Sequence, residues 1–264
     1  MECQLFSTMM IGPRKRQEDC IIEGRHLFQS DLLSRKIGFV TGPMLLAVCD
    51  GMGGHYGGEM ASRFVCEQLR HYTWSGDVSG DNVHYALLGI QSASERHLPP
   101  QSGTTIAGLF SDGGRALIFN AGDSRVYGIT AERLEYLSHD HSLVQDLIDQ
   151  SLVSMESAAV HPYRHLIDFG LGPAFSRVWS ERDLYIVEQR LDPSAAFLLC
   201  TDGLTDILSD AEIHEILAPS PVENGARLAN AARKKGLTDN TSFIIARITG
   251  GMTPGIIGTE QLYK

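Results

Sequence analysis

The sequence predicts a single α+β domain in which strand meanders sit between amphipathic helices. Three observations predict it. Apolar runs joined by short glycine- and aspartate-containing turns fill the middle of the chain. Stretches with apolar residues at helical spacing lie toward both ends. No shift in composition and no fixed-period repeat divides the 264 residues. Periodicity stops there: it does not specify how the sheets stack.

Taken in order, Gly12 to Cys20 is a turn followed by charges, and Pro13 excludes a helix. Arg25 to Pro43 is expected to hold strands and a loop. Met44 to Cys49 is an apolar run that stops at Asp50, and the glycines Gly51, Gly53, Gly54 and Gly57 follow. From Gly58 a helix places Ala61, Phe64, Val65, Leu69 and Tyr72 on one face. A polar link, Ser75 to Asp81, leads to a second helix striped by Val83, Leu87, Ile90 and Ser94, which Pro99-Pro100 ends.

Thr104 to Phe110 and Arg115 to Asn120 are strand-like runs joined by Ser-Asp-Gly-Gly. Ala121-Gly122-Asp123-Ser124 is a second turn before a third strand, Arg125 to Ile129. Links this short predict antiparallel neighbours. Ser138 to Ser142 opens a helical stretch with Leu143, Val144, Leu147 and Ile148 on one side. Ser151 to Trp179 has weak periodicity and is expected to be a mobile insert. Leu184 to Leu191 and Ala196 to Cys200 are strands around an Asp192-Pro193-Ser194 turn, and the second ends at Thr201-Asp202-Gly203, repeating Asp50-Gly51. Two helices follow, each with a capping box, Ser209 with Glu212 and Ser220 with Glu223, and Pro221 suits a first helical position. Ser242 to Ile248 is the last strand. Residues 1–249 form the expected domain, with the insert at about 151–180, and 250–264 a mobile tail.

Hydrophobic residues make up 43% of the chain and charged ones 20%, which suffices for a sizeable core. The net charge is −10 and the pI about 5.4. An acidic field of this size disfavours nucleic acid and anionic membrane as partners, and Arg14-Lys15-Arg16 is the candidate basic patch set against it. Five cysteines, Cys3, Cys20, Cys49, Cys66 and Cys200, form no CxxC pair, and Cys49 and Cys200 lie in apolar runs. They read as reduced core residues, which suits a cytoplasmic protein. No signal-peptide core opens the chain and no apolar stretch is long enough to span a bilayer.

Glu18, Asp19, Asp50, Asp123, Asp202, Asp206 and Asp239 share one setting: each adjoins a strand end or tight turn. Any one alone is an ordinary turn residue. Gathered together, carboxylates cannot all ionise without a cation, and hard oxygen ligands suit Mg²⁺ or Mn²⁺. No Cys/His cluster has zinc spacing.

Seven blocks carry a resemblance: Arg14-Lys15-Arg16-Gln17-Glu18-Asp19, Asp50-Gly51-Met52-Gly53-Gly54-His55, Ser102-Gly103-Thr104-Thr105, Gly122-Asp123-Ser124-Arg125, Leu137 to Ser142, Thr201-Asp202-Gly203-Leu204-Thr205-Asp206 and Thr238-Asp239-Asn240-Thr241. In that order they resemble the signature blocks of the metal-dependent Ser/Thr protein phosphatases, the PPM or type 2C family, and its bacterial members most closely. The likeness runs from about Gly12 to Ile248.

The resemblance implies a four-layer α-β-β-α sandwich of two antiparallel sheets flanked by helices. It implies that Asp50 bridges two Mn²⁺ or Mg²⁺ ions and that the Gly51 carbonyl binds one of them. Asp202 and Asp239 would hold the first ion. Glu18 would serve the second, with Asp19 behind it through water. Asp123, Asp202 and Asp206 would form a weaker third site, and Arg14 would grip the phosphate. The implied reaction is hydrolysis of phosphoserine and phosphothreonine by in-line attack of a hydroxide bridging the ions, opposing a bacterial Ser/Thr kinase. A monomer is the expected state. The alternative is a weak or inactive module of the same fold that binds a signalling partner.

Three positions depart from the family pattern. Met52 stands where some members have an acidic histidine; His55 is the nearest substitute as proton donor, with metal-bound water or a mere packing role for His55 as alternatives. Gln17 replaces the usual asparagine. Ile167 to Gly172 lacks an arginine often found in the family's flap, which puts substrate choice in question more than catalysis. Asp168-Phe169-Gly170 resembles a kinase metal loop, but no kinase phosphate or catalytic loop precedes it. His139-Asp140-His141, at a helix start, reads as capping and packing.

Overall fold

The structure is a computed structural model and describes residues 2–53, 56–72, 79–112, 114–158, 160–192, 195–249 and 260–261. The chain runs through β1 (Glu2–Met10), β2 (Cys20–Glu23), β3 (His26–Phe28), β4 (Leu32–Thr41), β5 (Met44–Cys49), β6 (Gly51–Met52), α1 (Gly57–His71), α2 (Gly80–His97), β7 (Gly103–Thr104), β8 (Ile106–Ser111), β9 (Arg115–Ala121), β10 (Arg125–Ile129), β11 (Leu134–Tyr136), α3 (Leu143–Asp149) and α4 (Met155–Ala158). It continues through β12 (Tyr185–Arg190), β13 (Ala195–Cys200), α5 (Asp202–Thr205), α6 (Asp210–Leu217), α7 (Gly225–Lys235), β14 (Thr241–Thr249) and β15 (Glu260–Gln261). One sheet has the order β11-β10-β13-β14-β1-β4 and the other β15-β12-β9-β8-β5-β2-β3; every pairing is antiparallel. The two sheets lie between helices, as the resemblance implied.

Alternation explains the layering. All six residues of β5 are buried because alternate side chains enter two different apolar layers. Met44, Leu46 and Val48 face the other sheet, where they meet Leu5, Met9, Ile244 and Ala246. Leu45, Ala47 and Cys49 face α1 and α2 and pack with Val65, Leu69 and Leu87. On the far side Phe6, Leu198, Phe243 and Ile245 pack on Ile213 and Leu217 of α6 and Leu228 and Ala232 of α7. All five cysteines are buried and free, as expected.

Three sequence expectations are corrected. β8 pairs with β9, but β9 and β10 lie in different sheets. The turn at Gly122 takes the chain across. Its φ is +100°, and a Cβ there would lie 2.6 Å from Thr105 Cγ2, so glycine is required twice over. Turn chemistry is the same whether the next strand pairs or changes sheet, which is why spacing alone suggested a meander. β12 and β13 also belong to different sheets. Second, α7 starts at Gly225, after Asn224, not at Pro221. The Ser220 hydroxyl donates to Glu223 at 2.6 Å, closing a separate turn.

Third, the insert is not uniformly loose. Phe169 and Leu171 are fully buried in the layer beneath α1 and α2. Leu171 and Thr104 exchange two backbone hydrogen bonds of 2.8 Å, and Gln91 bonds both backbone groups of Gly172. Leu152, Met155, Tyr163 and Leu166 are exposed. β1, a segment to which the sequence signals assigned no element, lies in the first sheet between β14 and β4. Its Ser7 and Thr8 interrupt the apolar pattern. Both hydroxyls are satisfied inside, Ser7 donating to the Glu23 carboxylate and Thr8 to the Leu33 carbonyl. His55, most of the Ser75–Asp81 link, Pro193, Ser194 and the tail lie outside the described residues, except that Glu260 and Gln261 pair with β12.

Candidate metal centre

At one rim of the two sheets a cavity of about 840 Å³ collects Arg14, Glu18, Asp50, Gly51, Asp123, Asp202, Asp206 and Asp239. These are the residues the sequence singled out from five separate places, apart from Asp19, which is fully buried beside them, and His55.

The carboxylates are positioned by backbone and side-chain contacts, several of them supplied by other blocks. Asp50 ends β5. Its N–H donates to Thr105 Oγ1 at 3.0 Å, and its carbonyl accepts from the Thr105 N–H and Thr104 Oγ1. Thr105 Oγ1 also bonds Ser124 Oγ at 2.7 Å, so one threonine ties the Asp50 strand end to the Asp123 turn. The Gly51 N–H donates to the Glu18 carbonyl. Opposite, a Cβ on Gly58 would lie 2.7 Å from the Gly51 carbonyl oxygen and 2.8 Å from Glu18 Oε1. Glycine at 58 therefore leaves both oxygens room.

The Arg14 to Asp19 loop is held by Asn240, which is almost wholly buried. Its Nδ2 donates to the carbonyls of Ile11 and Arg16 at 2.9 and 3.0 Å, and its Oδ1 accepts from the Glu18 N–H at 2.7 Å. Gln17, the departure from the usual asparagine, is buried and closes the turn: it accepts from the Asp19 N–H and donates to the Ser30 carbonyl. Asp202 opens the short helix α5, where the Asp206 N–H reaches its carbonyl at 2.8 Å, so the two side chains share a face. Arg14 donates to the Asp239 carboxylate.

Electrostatically the centre holds surplus negative charge. Burial pushes the Asp19 carboxyl up to about 8, with Asp202 and Asp239 adding to the rise. Asp50 is pushed well above the usual range by burial and then by Asp19, Asp202 and Asp123. Burial and Asp202 do the same to Asp123. Asp202 and Glu18 are raised by burial as well. The cation next to Asp123, Arg125, is engaged by Asp140 through three hydrogen bonds of 2.6 to 3.1 Å. Oδ1 of Asp19 and Oδ1 of Asp202 are buried without a hydrogen-bond partner. Oxygen donors in excess, unpartnered and mutually repelling, fit hard divalent cations such as Mg²⁺ or Mn²⁺.

Among the described residues, three metal-type side chains whose ligand atoms all lie within 4.8 Å of one another are His165, Asp202 and Asp206. The sequence expectation of a third site combined Asp202 and Asp206 with Asp123; all three line the cavity, but the histidine was missed. His165 and its neighbour Arg164 come from the weakly periodic insert, where no motif marked them. Thr105 and Asn240 were also unassigned, although both lie inside blocks that stood out. His139-Asp140-His141 packs, as expected: His141 lies against Phe169 and Asp140 binds Arg125.

Comparison with known proteins follows the same outline. A family model described as protein phosphatase 2C matches residues 29–240. The serine/threonine protein phosphatase PstP of Mycobacterium tuberculosis is 31% identical over 217 residues, a match covering 79% of this chain and 41% of that protein. The chain thus spans less than half the length of that curated relative. The crystal structure of the Mycobacterium tuberculosis serine/threonine phosphatase PstP/Ppp superposes with a TM-score of 0.78 at 28% identity, over 95% of this chain and all of that one. A structure of the PstP catalytic domain in complex with two manganese ions gives a TM-score of 0.75 at 26% identity, over 95% of this chain and all of that one.

Proposed function

This chain belongs to the protein phosphatase 2C family, and on that footing we propose that it removes phosphate from phosphoserine and phosphothreonine in proteins. The observation that carries the proposal is the convergence of Glu18, Asp50, Asp123, Asp202 and Asp239 on one cavity that also holds the Arg14 guanidinium.

Asp50, the Gly51 carbonyl, Asp202 and Asp239, with Glu18, would hold two divalent ions, and Asp19 would steady them from behind. Asp123 and Asp206 would serve a third. Manganese is the proposed metal, in keeping with the two manganese ions of the PstP catalytic domain. Bound divalent ions acidify a water molecule into a nucleophile at neutral pH.

The protein's own residues do the rest. Arg14 presents a planar fork of donors that can pair with two phosphate oxygens, and its present partner, Asp239, places that fork beside the carboxylates. Thr105 and Asn240 fix the strand end and the loop, so that Asp50 and Glu18 need no rearrangement on loading. The expelled serine or threonine oxygen requires a proton. His55, on the glycine loop after Asp50, is its proposed source, with water in the cavity as the alternative. Phosphoproteins are the proposed substrates, a cognate Ser/Thr kinase the proposed counterpart, and the cytoplasm the proposed location. Among the described residues no helix is long and apolar enough to cross a membrane.

The test is hydrolysis of a phosphothreonine peptide by the full chain with Mn²⁺, with Mg²⁺ and with EDTA. Turnover with a divalent ion and none with EDTA is expected. A chain inert with both metals would overturn the proposal and favour a non-catalytic module that binds a partner.

A further inference from the structure

His165 reaches the metal centre from the insert, which is otherwise remote from it in sequence. Its Nδ1 is 3.5 Å from Asp206 Oδ2. Together with Asp202 and Asp206 it offers three ligand atoms within 4.8 Å of one another. Asp202 opens α5 and Asp206 caps its end four positions later, so the two present the same face. Asp202 Oδ1 is buried and has no hydrogen-bond partner. His165 and Asp206 are each partly exposed, so an ion can enter. The three residues also line a second cavity of about 570 Å³ that continues under α3 and α4.

We propose that His165 adds a nitrogen ligand, beside Asp202 and Asp206, to the weaker third ion, and that filling this site with a transition metal fastens the outer part of the insert over the cavity. The inference rests on the metal-dependent phosphatase reading, because Asp202 belongs to both sites. One imidazole and two carboxylates favour Mn²⁺ over Mg²⁺, which prefers an all-oxygen shell. Three protein ligands leave positions for water, as in sites that exchange their ion readily. The insert is firmly tied on the other side of His165, through the Ser142–Ile167 bridge and the Arg182 pair with Asp168. Binding at His165 therefore acts on the segment that carries the exposed Leu152, Met155, Tyr163 and Leu166 and leaves the buried Phe169 and Leu171 in place.

The experiment titrates the EDTA-stripped full chain with Mn²⁺ and follows bound ions by electron paramagnetic resonance. The wild type should bind one weaker ion beyond those of the main centre, with a ¹⁴N coupling from a directly bound imidazole. In His165→Ala the coupling should vanish and the weakest ion bind about tenfold or more less tightly. His165→Asp should restore the affinity without the coupling. Trypsin supplies a second readout: Mn²⁺ should slow cleavage after Arg164 in the wild type and not in His165→Ala. A ¹⁴N coupling that persists in His165→Ala, or a wild type with no such coupling, overturns the assignment. Either result can occur while wild-type hydrolysis of the phosphothreonine peptide stays intact. Loss of all hydrolysis would instead strike the phosphatase reading.

Discussion

The Asn240 side chain accepts a hydrogen bond at 2.7 Å from the backbone amide of Glu18, 222 positions earlier in the chain. Two further bonds from the same side chain, to Ile11 and Arg16, make it the clamp on the whole loop that carries Arg14 and Glu18. Asn240→Ala should remove about 2–3 kcal/mol of stability, since buried groups lose their partners. It should also weaken Mn²⁺ binding by about 10–100-fold, the usual effect of losing a group that orients a ligand. Denaturant titration and calorimetric titration with Mn²⁺ check the two halves.

Asp50→Asn should move activity and stability in opposite directions. Hydrolysis of an aryl phosphate should fall by about 10²–10³ or more, the scale seen when one charge-stabilising group is lost. The metal-free variant should melt higher than the wild type at pH 8, because one of several crowded carboxylates is gone. A variant that keeps wild-type turnover would remove Asp50 from the centre.

The stability of the metal-free protein should depend on pH through Asp19. Its carboxyl rises from 3.8 to about 8 on folding. Between those values the folded state holds a proton that the unfolded state has released. Raising the pH across that range therefore destabilises the fold. Melting temperatures of the EDTA-treated chain should fall from about pH 5 to pH 8, less so in Asp19→Asn. Saturating Mn²⁺ should flatten the profile, since a cation replaces the proton.

Arg14→Ala should raise KM for a phosphopeptide by about tenfold or more, the worth of a charge-assisted pair, with a smaller change in kcat. Arg14→Lys should recover little, because an ammonium lacks the two-pronged geometry. An unchanged KM in Arg14→Ala would refute the phosphate-gripping role.

Gly58→Ala tests the space around the ligand oxygens. The added Cβ would sit 2.7 Å from the Gly51 carbonyl oxygen and 2.8 Å from Glu18 Oε1. Mn²⁺ affinity should drop while far-ultraviolet circular dichroism stays close to wild type, since α1 keeps its buried face of Ala61, Val65 and Leu69.

What the sequence made legible divides by range. Strands that alternate and helices with capped ends were readable, because their signal lies within a few residues: β5, α1 and the Ser209–Glu212 cap all appear where expected. The carboxylates were readable as a set because each adjoins a strand end or turn. Features decided by distant partners were not. β1 is a strand because β14 and β4 flank it, and its own Ser7 and Thr8 argue otherwise. Gly122 looks like a hairpin turn and instead carries the chain between sheets. His165 has no local mark at all; only the folded insert brings it to Asp206.

Phe169 and Leu171 sit in the core while Leu152, Met155, Tyr163 and Leu166 stay outside. The exposed stretch is thus a loop pinned at both feet, at α3 and at Ile167. Its exposed positions can change between related chains without Phe169 or Leu171 being exchanged. The exposed surface can then diversify there, while the cluster of carboxylates at the rim of the sheets is inherited intact.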